Sequence, residues 1–524
     1  MTAPTAAERY AALVSWVSSA GGTLHPFVEI YNDADTEGSL RVKPGRSLAA
    51  GDTIVKLPLS RSLSFLNAIC GHPDFHSATA ATLGVIPPES YFPTAFLRET
   101  PPHVVGRFFL VQEYLRGEQS AWAPYIRTLP QPTSSDATTT TTGGLLPCAW
   151  PAADVEFLRG TNAWVAVQEI NATLDSEYAA AVDLLQPADG GSSGGSIWTE
   201  FTSELYRWAY CVFASRSFRQ SLTIPGGAGA AGGLKADDFS VLLPLFDMGN
   251  HHPLAKTAWK TPEDISTTSS TNDNHTSASE AAAIGGTLFC ELQTGQAYSA
   301  GEQVYNNYGP SKTNAELLLG YGFVLAESDE FHNDYVHVRT RPSTNSSSHD
   351  AAQSHLASTH LVSLQPMSDP SSLAGRARMR LGADKDPEPI LGCYTHVQDS
   401  LVASLYEMVC QARGIPAPDR SSSGSEQQGS VSLAAILAGE IPEELTDEII
   451  NALGTKLSMD LEKIEAAEAE QAARMGKTGG QQAEPRNGNQ QLAALYRSQC
   501  RRVLENALAS LSGEEEYEEM EEES

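Results

Sequence analysis

The chain reads as an α+β protein: a β-rich unit interrupted by a long helical insertion, followed by a helical C-terminal third. Three patterns point there. Asp52–Leu59 (DTIVKLPL) alternates apolar and polar residues after Gly51, the period of a half-buried strand. Phe108, Leu110, Val111 and Tyr114 share one helical face, and Phe201, Leu205, Trp208 and Ala209 share another. Finally, Leu445, Ile449, Leu453, Leu457, Leu461 and Ile464 recur every three or four residues. So do Leu492, Leu495, Tyr496, Val503, Leu504, Leu508 and Leu511. Stripes of that kind bury against other helices.

In chain order, residues 8–68 open with a helix and turn extended, and residues 70–222 are helical. Residues 238–325 return to strand and loop, with strands expected at Val241–Phe246, Gly286–Leu292 and Val304–Tyr308. Low-complexity stretches rich in Gly, Ser, Thr and Ala punctuate this order: Pro132–Gly144, Ala188–Ser196, Pro225–Gly233, Ser266–Gly286, Pro342–Ser358 and Ser421–Ser430. They carry too little apolar surface to offset the entropy of ordering them, so they read as surface insertions.

Composition narrows the function classes. A length of 524 residues suggests two to four domains, and a hydrophobic fraction of 41% supplies their cores. With 34 basic against 64 acidic residues, the net charge is −30. Eight glutamates between Glu514 and Glu523 concentrate part of the excess in residues 513–524, expected to be a disordered acidic tail. The body remains acidic, which speaks against nucleic-acid phosphates as the main ligand. The seven cysteines are scattered, with no CxxC pair, which fits reduced thiols in an intracellular protein better than a zinc site or a disulfide framework. No run of about 18 apolar residues suggests a membrane span. The start, MTAPTAAERYAALVSWV, reads as a first helix rather than a secretory signal or a Ser/Arg-rich transit segment.

Three stretches carry chemistry: Trp208–Phe218 (WAYCVFASRSF), Leu243–His251 (LPLFDMGNH), and Ala300–Gly309 (AGEQVYNNYG) continuing through Ser311–Phe323 (SKTNAELLLGYGF). An Asn-His pair closing an apolar strand offers hydrogen bonds to a heterocycle edge; it could equally be a strand-ending turn with a satisfied histidine. Tyr308 beside Gly309 could orient an incoming nucleophile, or be an ordinary strand aromatic. Asp247, His251 and His252 could suggest a metal-dependent hydrolase, but no further ligand has recognisable spacing, so no metal is expected.

In that order the stretches resemble the SET-domain methyltransferases. The likeness is to the branch typified by the Rubisco large-subunit lysine methyltransferase and the actin-histidine methyltransferase. The resemblance implies a SET-domain β-fold over residues 8–325, a helical insertion at about 70–235, and an all-α substrate-binding domain at 326–512. It implies S-adenosyl-L-methionine as cofactor and methyl transfer to a protein side-chain nitrogen. On that likeness Asn250 and His251 hold the adenine side of the cofactor, and Tyr308 is the catalytic tyrosine. Arg216 contacts cofactor or substrate. Phe218, Phe246, Tyr321 and Phe323 are candidates for an aromatic channel wall, with Phe323 also near the cofactor, and Asp247 either faces the substrate channel or is structural. Glu37, Ser39 and Leu40 match the N-terminal cofactor element, which in that branch reads like Glu-Gly-x-Gly-Leu; here Thr36–Leu40 (TEGSL) lacks the second glycine and is one residue shorter.

Phe218 follows the lysine branch, where the histidine-methylating relative has a polar residue, so a protein lysine is the expected acceptor. Histidine methylation and a non-catalytic SET-like scaffold stay open as rivals. The expected protein is a monomer of the cytoplasm or nucleus, with a chloroplast address also open. Its partner would be a protein bearing the target lysine, with no nucleic acid and no membrane.

Overall fold

A computed structural model describes residues 4–33, 36–70, 92–132, 145–185, 197–220, 238–262, 288–326, 328, 330–339, 359–378, 390–415, 431–474 and 484–512. The low-complexity stretches named above, Pro132 apart, and the acidic tail lie outside those residues. The chain divides into two compact units. One comprises residues 1–149 and 171–309, the other 150–170 and 310–524.

The first unit opens with helix α1 (Ala6–Ser18). Thr5 and Glu8 cap it reciprocally, and Tyr10, Leu13 and Val17 form its buried face. Strands β1 (Thr23–Leu24), β2 (Val28–Asp33), β3 (Glu37–Val42) and β4 (Thr53–Pro58) follow. After the helical insertion come β5 (Ser217–Arg219), β6 (Ser240–Leu242), β7 (Thr257–Lys260) and β8 (Phe289–Thr294). One antiparallel sheet has the order β1-β4-β8-β7, and β2–β3 and β5–β6 form separate antiparallel pairs. The alternation read at Asp52–Leu59 is β4, whose Ile54, Val55 and Leu57 are buried.

Two expected strands differ. Residues 241–246 hold strand only through Leu242. Leu245 adopts a left-handed φ of 71°, and Phe246–Met248 form a short helical turn. Residues 304–308 form no strand; they make single bridges and loop bonds, which leaves their side chains free of the strict alternation of a sheet.

The insertion holds α2 (Phe65–Ile69), α3 (Pro102–Leu115), α4 (Ala123–Ile126), α5 (Asn162–Leu185) and α6 (Ser203–Arg216). The first residues of α5, to Ile170, belong to the second unit. Phe96, Phe108 and Phe201 are buried, with ring centroids 5.5 and 5.7 Å apart along that series. Beside them Glu177 accepts from Arg107 (2.7 Å) and from the Tyr206 hydroxyl (2.7 Å), and pairs with His103 (2.9 Å). Burial alone would raise the Glu177 carboxyl; these partners together outweigh it and hold the group down at about 2.

The second unit is helical apart from the hairpin β9 (Tyr335–Val338) and β10 (His360–Ser363). Its helices include α7 (Asn314–Tyr321), α8 (Asp399–Arg413), α9 (Glu443–Arg474) and α10 (Gly488–Ser512). On α9, Leu445, Ile449, Leu453, Leu457 and Ile464 are buried, as their spacing predicts. On α10 the buried face runs through Ala493, Tyr496, Cys500, Val503, Leu504 and Ala507. Leu495, expected in that stripe, is 49% exposed because it sits one position off the face. Residues 310–325, read from sequence with the first domain, pack within this second unit.

Candidate active site

Two loops of the first unit are zipped together around Tyr308. Asn306 donates its amide to the Asn250 carbonyl (2.8 Å), and His252 donates to the Asn306 carbonyl (3.0 Å), making a parallel bridge between 251 and 306. Asn307 braces the turn. Its Nδ2 donates to the carbonyls of Pro253 (2.9 Å) and Ala255 (3.1 Å), while its Oδ1 accepts from Gly309 N (2.9 Å). Gly309 has φ 146°, a conformation glycine adopts without strain. Gly249 is needed for another reason: a Cβ there would lie 3.1 Å from Asn306 Cβ, so the two loops could not close as tightly.

Tyr308 itself is held at three points. Its hydroxyl donates to the Gly249 carbonyl (3.0 Å), its amide donates to His251 Nδ1 (3.1 Å), and its ring stacks on His251 at 5.1 Å and 19°. Because Nδ1 of His251 accepts, a neutral imidazole carries its proton on Nε2. Burial pushes the Tyr308 phenol up to about 12, the nearby Arg216 cation pulling the other way. The group is therefore a neutral phenol throughout the physiological range. Its proton is directed at Gly249, so its oxygen is the acceptor for anything arriving.

A buried charge cluster adjoins it. Arg216, the last residue of α6, donates to the Asp247 carbonyl (3.3 Å) and lies 3.4 Å from its Oδ2. Tyr125 of α4 donates its hydroxyl to the same Oδ2 at 2.9 Å. The Asp247 side chain has no solvent exposure, and burial raises its carboxyl above the ordinary value while Arg216 and Tyr125 counteract. Phe218 on β5 meets Phe246 (5.9 Å, 86°) and Trp259 (5.3 Å, 90°) edge to face, an aromatic cluster that joins two of the four candidates for a channel wall.

The N-terminal element comes in through hydrogen bonds. Ser39 and Leu40 are fully buried on β3, and Leu40 O accepts from Val304 N (2.8 Å). Ser39 Oγ accepts from Asn250 Nδ2 (3.1 Å) and from Gln303 Nε2 (2.5 Å), while Asn250 Nδ2 also reaches Thr36 Oγ1 (2.8 Å). Ser39 thus ties β3 to both loops. Glu37 is exposed at the hairpin end with a left-handed φ of 63°.

Of the residues singled out from sequence, Ser39, Leu40, Arg216, Phe218, Asp247, Asn250, His251 and Tyr308 are joined by these contacts. Tyr321 and Phe323 lie in the second unit, where their rings are 6.4 Å apart and Lys312 Nζ sits 5.5 Å from the Tyr321 ring. Sequence reading missed Thr36, Tyr125, Trp259, Gln303, Asn306 and Asn307. Only the asparagine run was a visible signal, since Asn-Asn before Tyr-Gly marks a tight turn. Among the described residues, no three His, Cys, Asp or Glu side chains cluster as metal ligands.

No protein-family profile matches the chain. The ribosomal lysine N-methyltransferase set10 of Schizosaccharomyces pombe is 31% identical over 227 residues, which are 43% of this chain and 32% of that protein. The fructose-bisphosphate aldolase-lysine N-methyltransferase of Arabidopsis thaliana is 28% identical over 237 residues (45% and 39%). The actin-histidine N-methyltransferase of Drosophila melanogaster is 28% identical over 247 residues (45% and 38%). The matches thus span well under half the length of these relatives. In fold, the SET domain of LSMT bound to lysine and AdoHcy superposes with a TM-score of 0.54 over 98% of this chain and 92% of that chain, at 15% identity. Rubisco LSMT bound to sinefungin and monomethyllysine gives the same TM-score over 97% and 92%, again at 15% identity. This chain has the SET fold, an α+β core with a helical insertion and a helical C-terminal region.

Proposed function

We propose that the protein transfers a methyl group from S-adenosyl-L-methionine to the side-chain nitrogen of a lysine in a protein substrate. The observation that carries this reading is the clamped Tyr308, held by its hydroxyl on Gly249 O, by its amide on His251 Nδ1 and by its ring on His251. Support comes from the relatives, since two of those described methylate lysine by name, and from the fold shared with a lysine-bound SET domain.

The residues present suit the cofactor. The Asn250–Ser39–Thr36–Gln303 cluster supplies amide and hydroxyl groups of the kind a purine edge and a ribose need. In the loop bridged to His251, Asn306 Nδ2 is buried with no hydrogen-bond partner, a donor available to an anionic or carbonyl group. Asn250, His251, Ser39 and Leu40 would hold the cofactor, with Arg216 and Glu37 as further contacts. When bound, the cofactor supplies an electrophilic sulfonium methyl.

The chain's own task is alignment and proton control. A lysine ammonium, with a reference pKa of about 10.4, has no lone pair to offer. Phe218, Phe246 and Trp259 form a wall of low polarity that disfavours the charged form, and the Arg216 cation acts in the same direction. Asp247 attracts the ammonium on entry, while its pairing with Arg216 keeps it from fixing the proton there. Tyr308 then accepts an N–H bond from the neutral amine and orients its lone pair. Its phenol, displaced upward to about 12, stays un-ionised, so the tyrosine acts as a positioning acceptor and not as a base.

Histidine is the second reading, favoured by the actin-histidine relative. Phe218 argues against it, because its ring offers an imidazole no hydrogen bond. The test is incubation of purified protein with methyl-labelled cofactor and a cell lysate, followed by hydrolysis of the labelled protein. Label in methyl-lysine is expected; label confined to methyl-histidine, or none, removes the proposal. The protein is further expected to act as a monomer inside the cell, without nucleic acid or membrane.

A further inference from the structure

The second unit contains a cavity of about 220 Å³ that the methyl-transfer site does not use. Its walls come from the start of α5, the β9–β10 hairpin, α9 and α10. Gly160 makes the arrangement possible. It has φ 90°, and a Cβ there would lie 2.7 Å from Ile464 Cα and from Lys463 O, so only glycine lets the 160–162 turn seat directly on α9.

The lining has two characters. Val165, Ala166, Val336, Ile464 and Leu504 make most of it apolar. Against this, Arg339, Lys456 and Lys463 face a single acidic lining residue, Asp460. Both lysine ammonium groups bond that one carboxylate, Lys456 at Oδ2 and Lys463 at Oδ1 (2.9 Å). Arg339 has its own partner in Glu169 at 3.4 Å. Two cations sharing one anion leave a local positive excess, in a chain whose overall charge is −30. An apolar concavity with a positive rim is complementary to a molecule with a hydrocarbon body and one acid group. The volume equals that of roughly seven waters at about 30 Å³ each, so the occupant is a small molecule rather than a folded partner.

We propose that this cavity binds a small organic monoanion, its acid group paired with Lys456 and Lys463 and its apolar body against Val165, Val336 and Leu504. A short-chain carboxylate represents the class. Hexanoate, with about eight non-hydrogen atoms, fits the space and carries both features.

The test is calorimetric titration of the full chain with hexanoate, acetate and 1-hexanol in parallel. Hexanoate is expected to bind about tenfold more tightly than either the charge alone or the chain alone. Lys456→Gln combined with Lys463→Gln should weaken hexanoate about tenfold without changing the response to 1-hexanol. Val165→Trp, which alters no charge and sits at an exposed part of the lining, should abolish binding by filling the space. Raising salt on the unmodified protein should weaken hexanoate but not 1-hexanol, an arm that needs no variant to fold. The proposal is overturned if hexanoate gives no heat or binds no better than 1-hexanol. Affinity indifferent to salt and to both variants overturns it equally.

Discussion

The Tyr125 hydroxyl donates to Asp247 Oδ2 at 2.9 Å, across 122 positions of sequence, and so ties the helical insertion to the floor of the candidate site. Asp247 in turn holds Arg216, so one buried carboxylate serves a phenol and a guanidinium. Removing it strands a half-buried cation. Asp247→Ala should destabilise the first unit by about 3–5 kcal/mol, and Tyr125→Phe by about 1–2 kcal/mol. Urea denaturation followed by tryptophan fluorescence measures both; a loss under about 0.5 kcal/mol for Asp247→Ala would show that the cluster contributes nothing.

Ser39 offers a second handle. Its hydroxyl accepts from Asn250 and from Gln303, so Ser39→Ala frees the Asn250 amide from one of its two anchors. Cofactor affinity should fall about fivefold to tenfold, the equivalent of about one hydrogen bond. Titration of cofactor into the variant checks this, with an unchanged Kd as the contrary result.

Acid should unfold the insertion by a defined route. The Glu177 carboxyl, ordinarily at 4.5, is held at about 2 in the folded chain. Above 4.5 its contribution is fully present. As pH falls from 4.5 toward 2 the unfolded chain gains a proton that the folded chain still refuses, and stability is lost over that window. Glu177→Gln should flatten this part of the stability profile while lowering stability at pH 7, as read from thermal melts at several pH values.

At Gly160 backbone and packing demands coincide. Gly160→Ala should cost about 2–4 kcal/mol, because it adds both left-handed strain and a collision with the α9 backbone. A melting temperature equal to that of the unmodified protein would contradict the described packing.

Much of this architecture is legible in the residues. The period-two run at 52–59 is β4, and the α9 stripe is buried where its spacing says except at the half-buried Leu461. Asn250, His251 and Tyr308, 57 positions apart at their nearest pairing, meet through the His251 Nδ1 bond. What escaped was either long-range or off-period. Tyr125 sits in APYIRTLP, where nothing local distinguishes a site tyrosine from a core one, and its role exists only through Asp247. The strand expected over 241–246 stops at Leu242, ahead of Pro244, which has no N–H for a ladder, and of Leu245 with its left-handed φ; apolar side chains alone do not announce that turn. Leu495 shows the complementary error: an apolar residue one step off the helical face is exposed. Ser39 stands in an element short of its second glycine, and its role as a hydrogen-bonded tie needs the partner Gln303 in view.

The most direct check of the central claim is the Tyr308→Phe variant, assayed for methyl transfer in single turnover beside a titration of cofactor. Loss of the hydroxyl that meets the amine should slow transfer on the order of 10²-fold while cofactor affinity stays within error and the chain stays folded, the lost bond to Gly249 O costing about 1 kcal/mol of stability. A transfer rate equal to that of the unmodified protein would contradict the account.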